Sequence, residues 1–140
     1  AEQVKIAVGS AYPVKSESEG KPLSMVVRGR SLENGLPKSQ QINSVELREA
    51  LASVVRQILN EIALVIEETP PELVSDILER GMILAGGGSL LRGIDKLIAE
   101  ETGMPVWVTE KPMEAVVRGC GMVLENEKLL RQVRVVRGLD

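Results

Sequence analysis

The stretch Met82-Ile83-Leu84-Ala85-Gly86-Gly87-Gly88-Ser89-Leu90-Leu91 decides how this chain reads. Its apolar start has the length of a short buried strand. The glycines that follow carry no side chain, and Ser89 is a residue type that opens helices. Strand, bare turn and helix N-terminus in succession make a place where a ligand reaches backbone. Such a turn is also an ordinary way for an α/β chain to reverse, so its flanks determine its meaning.

Just upstream, Thr69-Pro70-Pro71-Glu72 marks a helix start. Thr69 is the expected cap, Pro70 the first helical residue, and Glu72 closes the box. Leu73, Val74, Ile77 and Leu78 are expected to face inward, and Gly81 stops the helix. A strand follows over 82–85. Downstream, the spacing predicts a helix from Ser89 to Thr102, with Leu90, Leu91, Ile94, Leu97 and Ile98 inward and Gly103 as the stop. Residues 105–108 read as a second short strand. Pro112 opens a last helix with Ala115, Val116, Gly119, Cys120, Val123 and Leu124 on its inner side. The tail, 126–140, extends that helix or frays. Helix, strand, helix, strand, helix is the order of a βαβ unit with parallel strands. Two strands are too few for a stable sheet, and the chain opens on Ala1 rather than Met. The expectation is a piece of a longer protein.

Further upstream, residues 1–8 fit the last turns of a helix, ended by Gly9 and Ser10, with Pro13 barring continuation. Glu2 and Lys5 are three apart and share a face, an ordinary surface ion pair on that spacing alone. Residues 14–22 read as a flexible polar loop. Residues 23–42 read as a β-hairpin: a strand over 23–30, a turn at Asn34-Gly35 where both residues tolerate positive φ, and a short return at 40–42. Arg28 and Arg30 fall on one face of it. Asn43 or Ser44 caps the next helix, Asn43 with Glu46 having the spacing of a capping box, and Leu47, Leu51, Val54, Val55, Ile58, Ile62, Val65 and Ile66 recur at helical spacing to about Glu68.

Composition narrows the function classes. Of 140 residues 44% are apolar and 26% charged, which is globular, and the net charge of −3 without a basic run argues against nucleic acid. Tyr12 and Trp107 are the aromatic residues, so the core is aliphatic and stacking platforms are scarce. One cysteine and no histidine exclude a disulfide framework, His-based zinc sites, and Ser-His or Cys-His nucleophile pairs. A reducing cytoplasm is the default compartment. No apolar run reaches transmembrane length.

The segments GSAYP at 9–13, VRGR at 27–30, NGLPKS at 34–39, ETPPELVSDILERG at 68–81, LAGGGSLLRGIDKLI at 84–98, ETGMPV at 101–106 and VVRGCGMVLE at 116–125 stand in a characteristic order. In that order the chain resembles the MreB family, bacterial actin-like proteins that set rod shape. The likeness covers nearly the whole chain and only about the last two-fifths of such a protein. Three details depart from it: a longer loop at VKSESEGKPLS, Ala7-Val8 in place of an acidic residue and Ile, and Ser31 where Asp is common.

The resemblance implies an actin-like ATPase (ribonuclease H-like) α/β fold, with short parallel strands, flanking helices and a small α+β lobe carrying the hairpin. Residues 1–8 would end a helix of subdomain IIA, 9–60 would form the IIB-like lobe, and 61–140 the C-terminal part of IIA. It also implies ATP as the cofactor, with magnesium in the complete protein. Gly86, Gly87 and Gly88 would pass beneath the adenosine, with Ser89 and Leu90 bordering it. Glu2, Gln3, Val4 and Lys5 would line the other wall of the purine pocket. The phosphate loops, the metal-coordinating acids and the water-positioning residue of the family lie outside this segment. No catalytic or metal-binding residue is therefore assigned, and the segment alone is not expected to hydrolyse ATP. The implied partners are further copies in a filament and membrane-bound cell-shape and cell-wall synthesis proteins. The implied location is the cytoplasm, with membrane association through other parts of the protein.

Two other functions compete with this one. A stand-alone protein-interaction module would keep a docking surface and bind no nucleotide. A small α/β enzyme using the glycine turn for another phosphate ligand is disfavoured by the missing nucleophile–base pair.

Overall fold

The structure, a computed structural model, describes residues 2–18 and 20–133. Helix α1 (Glu2–Val8) leads into a short helix α2 (Lys15–Ser18) and then into strands β1 (Ser24–Arg30) and β2 (Pro37–Asn43). Helix α3 (Ser44–Glu68) and helix α4 (Pro71–Arg80) follow, then strand β3 (Met82–Leu84) and a 3₁₀ turn (Gly87–Leu90). Helix α5 (Ile94–Thr102), strand β4 (Val106–Val108), helix α6 (Ala115–Glu125) and helix α7 (Glu127–Val133) complete the order. The expectations for Ala1 and for residues 134–140 lie outside the described residues.

The hairpin forms, with β1 and β2 antiparallel from Ser24↔Asn43 to Arg30↔Pro37. Its return strand is longer than the residues 40–42 expected for it. Pro37 fits at the strand's first position, where no ladder N–H is required. The turn is not a two-residue Asn-Gly turn. Among the described residues positive φ occurs only at glycines, so Gly35 (φ +69°) adopts it and Asn34 does not. The chain instead loops from Ser31 to Leu36, whose amide is accepted by the Asn34 side chain at 3.1 Å.

The capping box at α3 is complete. Asn43 Oδ1 accepts from the Val45 and Glu46 amides at 2.9 and 3.0 Å, and the Asn43 amide donates to Glu46 Oε2 at 3.0 Å. The helix runs 25 residues, about 37 Å, and passes unbroken through residues 60 and 61. At its other end Thr69 does not cap α4. Its hydroxyl donates to the Val65 carbonyl at 2.6 Å and finishes α3. Pro70 takes the cap position and Pro71 the first helical position.

Strands β3 and β4 pair in parallel, Met82 with Val106 and Leu84 with Val108, so the βαβ unit is real. The core that joins it to α3 is aliphatic. Ala11, Val55, Ile94 and Ile98 are buried together, and Leu51, Ile62, Met82 and Leu84 pack around them.

Several expected inward residues face out. Leu73 and Leu78 on α4 are exposed, as is Leu90. On α6, Val116 is 77% and Leu124 72% exposed, and Cys120 is exposed as well. The half-buried side of α6 is Ala115, Gly119 and Val123, a stripe four residues apart as helical geometry requires. The polar segment 14–22 holds the short helix α2 rather than being loop throughout. Among the described residues no helix is long and apolar enough to cross a membrane.

Candidate functional site

The glycine turn is built by a change of partner. After β3, the Leu84 carbonyl still accepts from the Thr109 amide at 3.1 Å. Gly86 then turns away with φ +82°, a conformation side-chain-bearing residues rarely adopt. Its amide donates to the Pro112 carbonyl at 2.7 Å, which ties the turn to the segment after β4. The Ser89 hydroxyl donates to the Gly86 carbonyl at 2.7 Å, and Ser89 is buried. Ser89 therefore closes a 3₁₀ turn and does not open the following helix. That helix begins at Ile94, after Gly93 in the left-handed region.

One face of the turn is bare. A Cβ on Gly86 or on Gly88 would meet no atom within 4 Å, whereas one on Gly87 would lie 3.1 Å from Met113 Sδ. Leu90 stands exposed at the end of the turn. Backbone is thus open to a ligand at Gly86 and at Gly88. This donor set suits the sugar or base of a nucleotide better than its phosphates, since no Lys or Arg lies within residues 85–91.

The expected second wall is the exposed face of α1. Lys5 Nζ and Glu2 Oε1 form an ion pair at 3.0 Å with both side chains largely exposed. Gln3 is exposed and Val4 half-buried. A surface pair of this kind contributes at most about 1 kcal/mol to stability, so the two charges remain available to a ligand.

Arg92, which the sequence reading did not single out, ties the chain after the glycine turn to the end of α1. Its Nη1 donates to the Ala7 carbonyl at 3.0 Å and to the Gly9 carbonyl at 3.3 Å. These carbonyls belong to the C-terminal end of α1, where a cation is favoured. Ser10 forms a parallel bridge with Arg92, and the Ala11 amide donates to the Arg92 carbonyl at 2.8 Å. Gly93 is required beside this bridge, because a Cβ there would lie 2.6 Å from Tyr12 Cβ. The segments GSAYP and LLRG thus run side by side. The local signal for it was the Arg-Gly pair after Leu91, a charged residue inside an otherwise apolar helix start.

The larger concavities lie elsewhere. A groove of about 700 Å³ runs between α3 and α4, lined by Ile58, Ile62, Val65, Ile77 and Met82 among others. A smaller one of about 390 Å³ lies between α3 and α5, beside Arg48, Arg56 and Glu101. Neither is lined by Glu2–Lys5 or by the glycine turn. Among the described residues no three Asp, Glu, His or Cys side chains converge as a metal site.

Comparison with known proteins identifies the architecture. The family model described as MreB/Mbl protein matches residues 1–132. The cell shape-determining protein MreB of Escherichia coli (strain K12) is 47% identical over 125 residues, which are 89% of this chain and 35% of that protein. The cell shape-determining protein Mbl of Bacillus subtilis (strain 168) is 44% identical over 126 residues, 90% of this chain and 36% of that protein. Among solved structures, MreB5 of Spiroplasma citri bound to ADP superposes with a TM-score of 0.83 at 30% identity, covering 94% of this chain and 39% of that one. The same protein bound to AMPPNP gives a TM-score of 0.82. The chain spans about a third of the length of the curated relatives it matches. Its elements are those of one portion of the actin-like ATPase fold, and the chain belongs to the MreB/Mbl family of cell shape-determining proteins.

Proposed function

We propose that this segment supplies the adenosine side of an ATP pocket in a filament-forming protein that controls rod cell shape and cell-wall synthesis. The observation that carries the reading is the bare face over Gly86 and Gly88, where an added Cβ meets open space. One relative of the same fold, MreB5 of Spiroplasma citri, has been solved in two nucleotide complexes, with ADP and with AMPPNP. In this reading Gly87, Gly88, Ser89 and Leu90 lie under the base and ribose, and Glu2, Gln3, Val4 and Lys5 face them from α1. Arg92 fixes the spacing between these two walls. Phosphates and magnesium would be held by parts of the pocket outside this segment, where the hydrolytic chemistry of a slow ATPase also belongs.

Filament growth in this reading is head to tail, a heterologous contact that does not close on itself. The exposed hairpin around Asn34-Gly35 is a candidate contact surface. The protein would work in the cytoplasm alongside membrane-bound cell-shape and cell-wall synthesis proteins, reaching the membrane through other segments. The second reading, an interaction module without nucleotide, draws on the exposed apolar residues Val116, Val117, Met122 and Leu124 of α6.

A titration with a fluorescent ATP analogue and magnesium separates the two. The complete gene product is expected to bind and to pellet with ATP, while the 140-residue chain binds weakly or not at all because it holds half the pocket. A complete gene product that binds no nucleotide and stays monomeric at high concentration leaves the interaction module standing.

A further inference from the structure

Ser10, which bridges to Arg92, is itself held from the opposite side. Arg48 Nη1 of α3 donates to Ser10 Oγ at 3.4 Å and to Glu17 Oε1 of α2 at 3.1 Å, with Glu17 Oε2 at 2.9 Å. The Ser44 hydroxyl, in the first turn of α3, donates to the same Glu17 carboxylate. Ser10 and Ser44 are 0% exposed, and the Glu17 and Arg48 side chains are 11% and 23% exposed. Four polar side chains from α2, α3 and the corner after α1 thus meet in one nearly closed cluster.

Sequestering charge this far is a poor way to gain stability, because desolvation offsets much of the attraction. What a satisfied polar cluster does provide is a single geometry, since any displacement leaves a buried charge without its partner. The element whose geometry is fixed here is the corner after α1. Arg92 clamps that corner from the glycine-turn side, and Arg48 clamps it from the α3 side.

We propose that Glu17 and Arg48 are positioning residues that hold Ser10, and through it α1, in register with the Gly86–Leu90 turn. Their effect on nucleotide affinity rests on the ATP-pocket reading; their effect on α1 does not. The segment carrying Glu17 thereby has a task beyond connecting α1 to the hairpin: it closes the cluster over the start of α3.

The test compares Glu17→Gln and Arg48→Met with Glu46→Ala. The last removes a capping bond in the same turn of α3 and touches neither Ser10 nor α1. In the 140-residue chain, amide hydrogen exchange is followed at Ala11, which donates to Arg92, and at Leu91, which donates to Gly88. Glu17→Gln and Arg48→Met are expected to speed exchange at both by about tenfold or more, while Glu46→Ala leaves them within about twofold. Arg48→Lys, which keeps the charge on a longer flexible stem, restores part of the protection. In the complete gene product the same two variants weaken binding of the fluorescent ATP analogue by about fivefold or more, and Glu46→Ala does not. Wild-type exchange in both cluster variants, or equal acceleration by Glu46→Ala, overturns the proposal. If the wild-type gene product takes up no nucleotide, the ATP reading falls while the exchange data still decide the role of the cluster. Should Arg48→Met not fold, Glu17→Gln, which keeps the side-chain shape, carries the comparison.

Discussion

Arg92 donates from one guanidinium nitrogen to the carbonyl of Gly9 at 3.3 Å, across a separation of 83 residues. With the bond to Ala7 at 3.0 Å it satisfies carbonyls that the end of α1 would otherwise leave unpaired. Arg92→Leu should therefore destabilise the chain by about 1–3 kcal/mol, the range for hydrogen bonds to a charged donor whose acceptors are left partly buried. Urea denaturation of the 140-residue chain checks this. The midpoint should fall with an unchanged slope, because the loss lies in the folded state. A midpoint equal to wild type means that water replaces the guanidinium without cost.

The glycines divide into those the fold requires and those it does not. Gly81 has φ +75°, and a Cβ there would lie 2.5 Å from the Pro105 carbonyl oxygen and 2.8 Å from the Trp107 ring. Gly81→Ala should cost about 2–4 kcal/mol, from left-handed strain together with overpacking. Gly88 has neither constraint, and Gly88→Ala should change stability by about 1 kcal/mol or less. Its Cβ would nevertheless project into the space proposed for adenosine, so the complete gene product should lose about tenfold or more in ATP-analogue affinity through steric exclusion. Melting and nucleotide titration on the same two variants separate the roles. Unchanged affinity in Gly88→Ala removes this glycine from the pocket.

The capping box at α3 offers a local calibration. Asn43→Ala loses the acceptor for the Val45 and Glu46 amides and should cost about 1 kcal/mol, as for side-chain caps generally. Thermal melting reads it directly. A loss well beyond that size would show that the cap also sets the angle at which β2 enters α3.

Legibility in the sequence followed the range of the interactions. The capping box, the hairpin and the β3–α5–β4 order were readable because caps, strand patterns and glycine stops act within a few residues. The helix start at Ser89 was not. A serine after glycines carries the cap signal, but Arg92 must stay extended to bridge Ser10, and Ser89 spends its hydroxyl on Gly86. Thr69 failed in the same way, since its hydroxyl has a nearer acceptor in Val65. The glycine turn and the Glu2–Lys5 pair were legible as candidate walls through the family likeness. The residues that tie α1 to its neighbours, Arg92, Ser10, Arg48 and Glu17, were not, because partners drawn from distant segments leave no periodicity. The outward-facing Val116 and Leu124 on α6 show the same limit: periodicity marks an apolar stripe, and tertiary contacts select which part of it is covered.

The Glu17 carboxylate gives the cluster a pH signature. Burial pushes its pKa up, but the hydrogen bonds from Ser44 and Arg48 and the charge of Arg48 outweigh burial and hold it below the usual carboxylate value. In the unfolded chain Glu17 returns to about 4.3. A group with a depressed folded pKa contributes stability that is present above its unfolded pKa and lost as pH falls through the folded one. Tyr12, whose hydroxyl the neighbouring Glu100 pushes upward from 10.0, titrates far above it. The stability difference between wild type and Glu17→Gln should therefore be flat above about pH 6 and shrink steadily below about pH 4. Urea midpoints collected for both proteins across that range provide the measurement. A difference that stays constant into acid would mean that Glu17 keeps its ordinary pKa, and that the cluster is held by packing rather than by its charge.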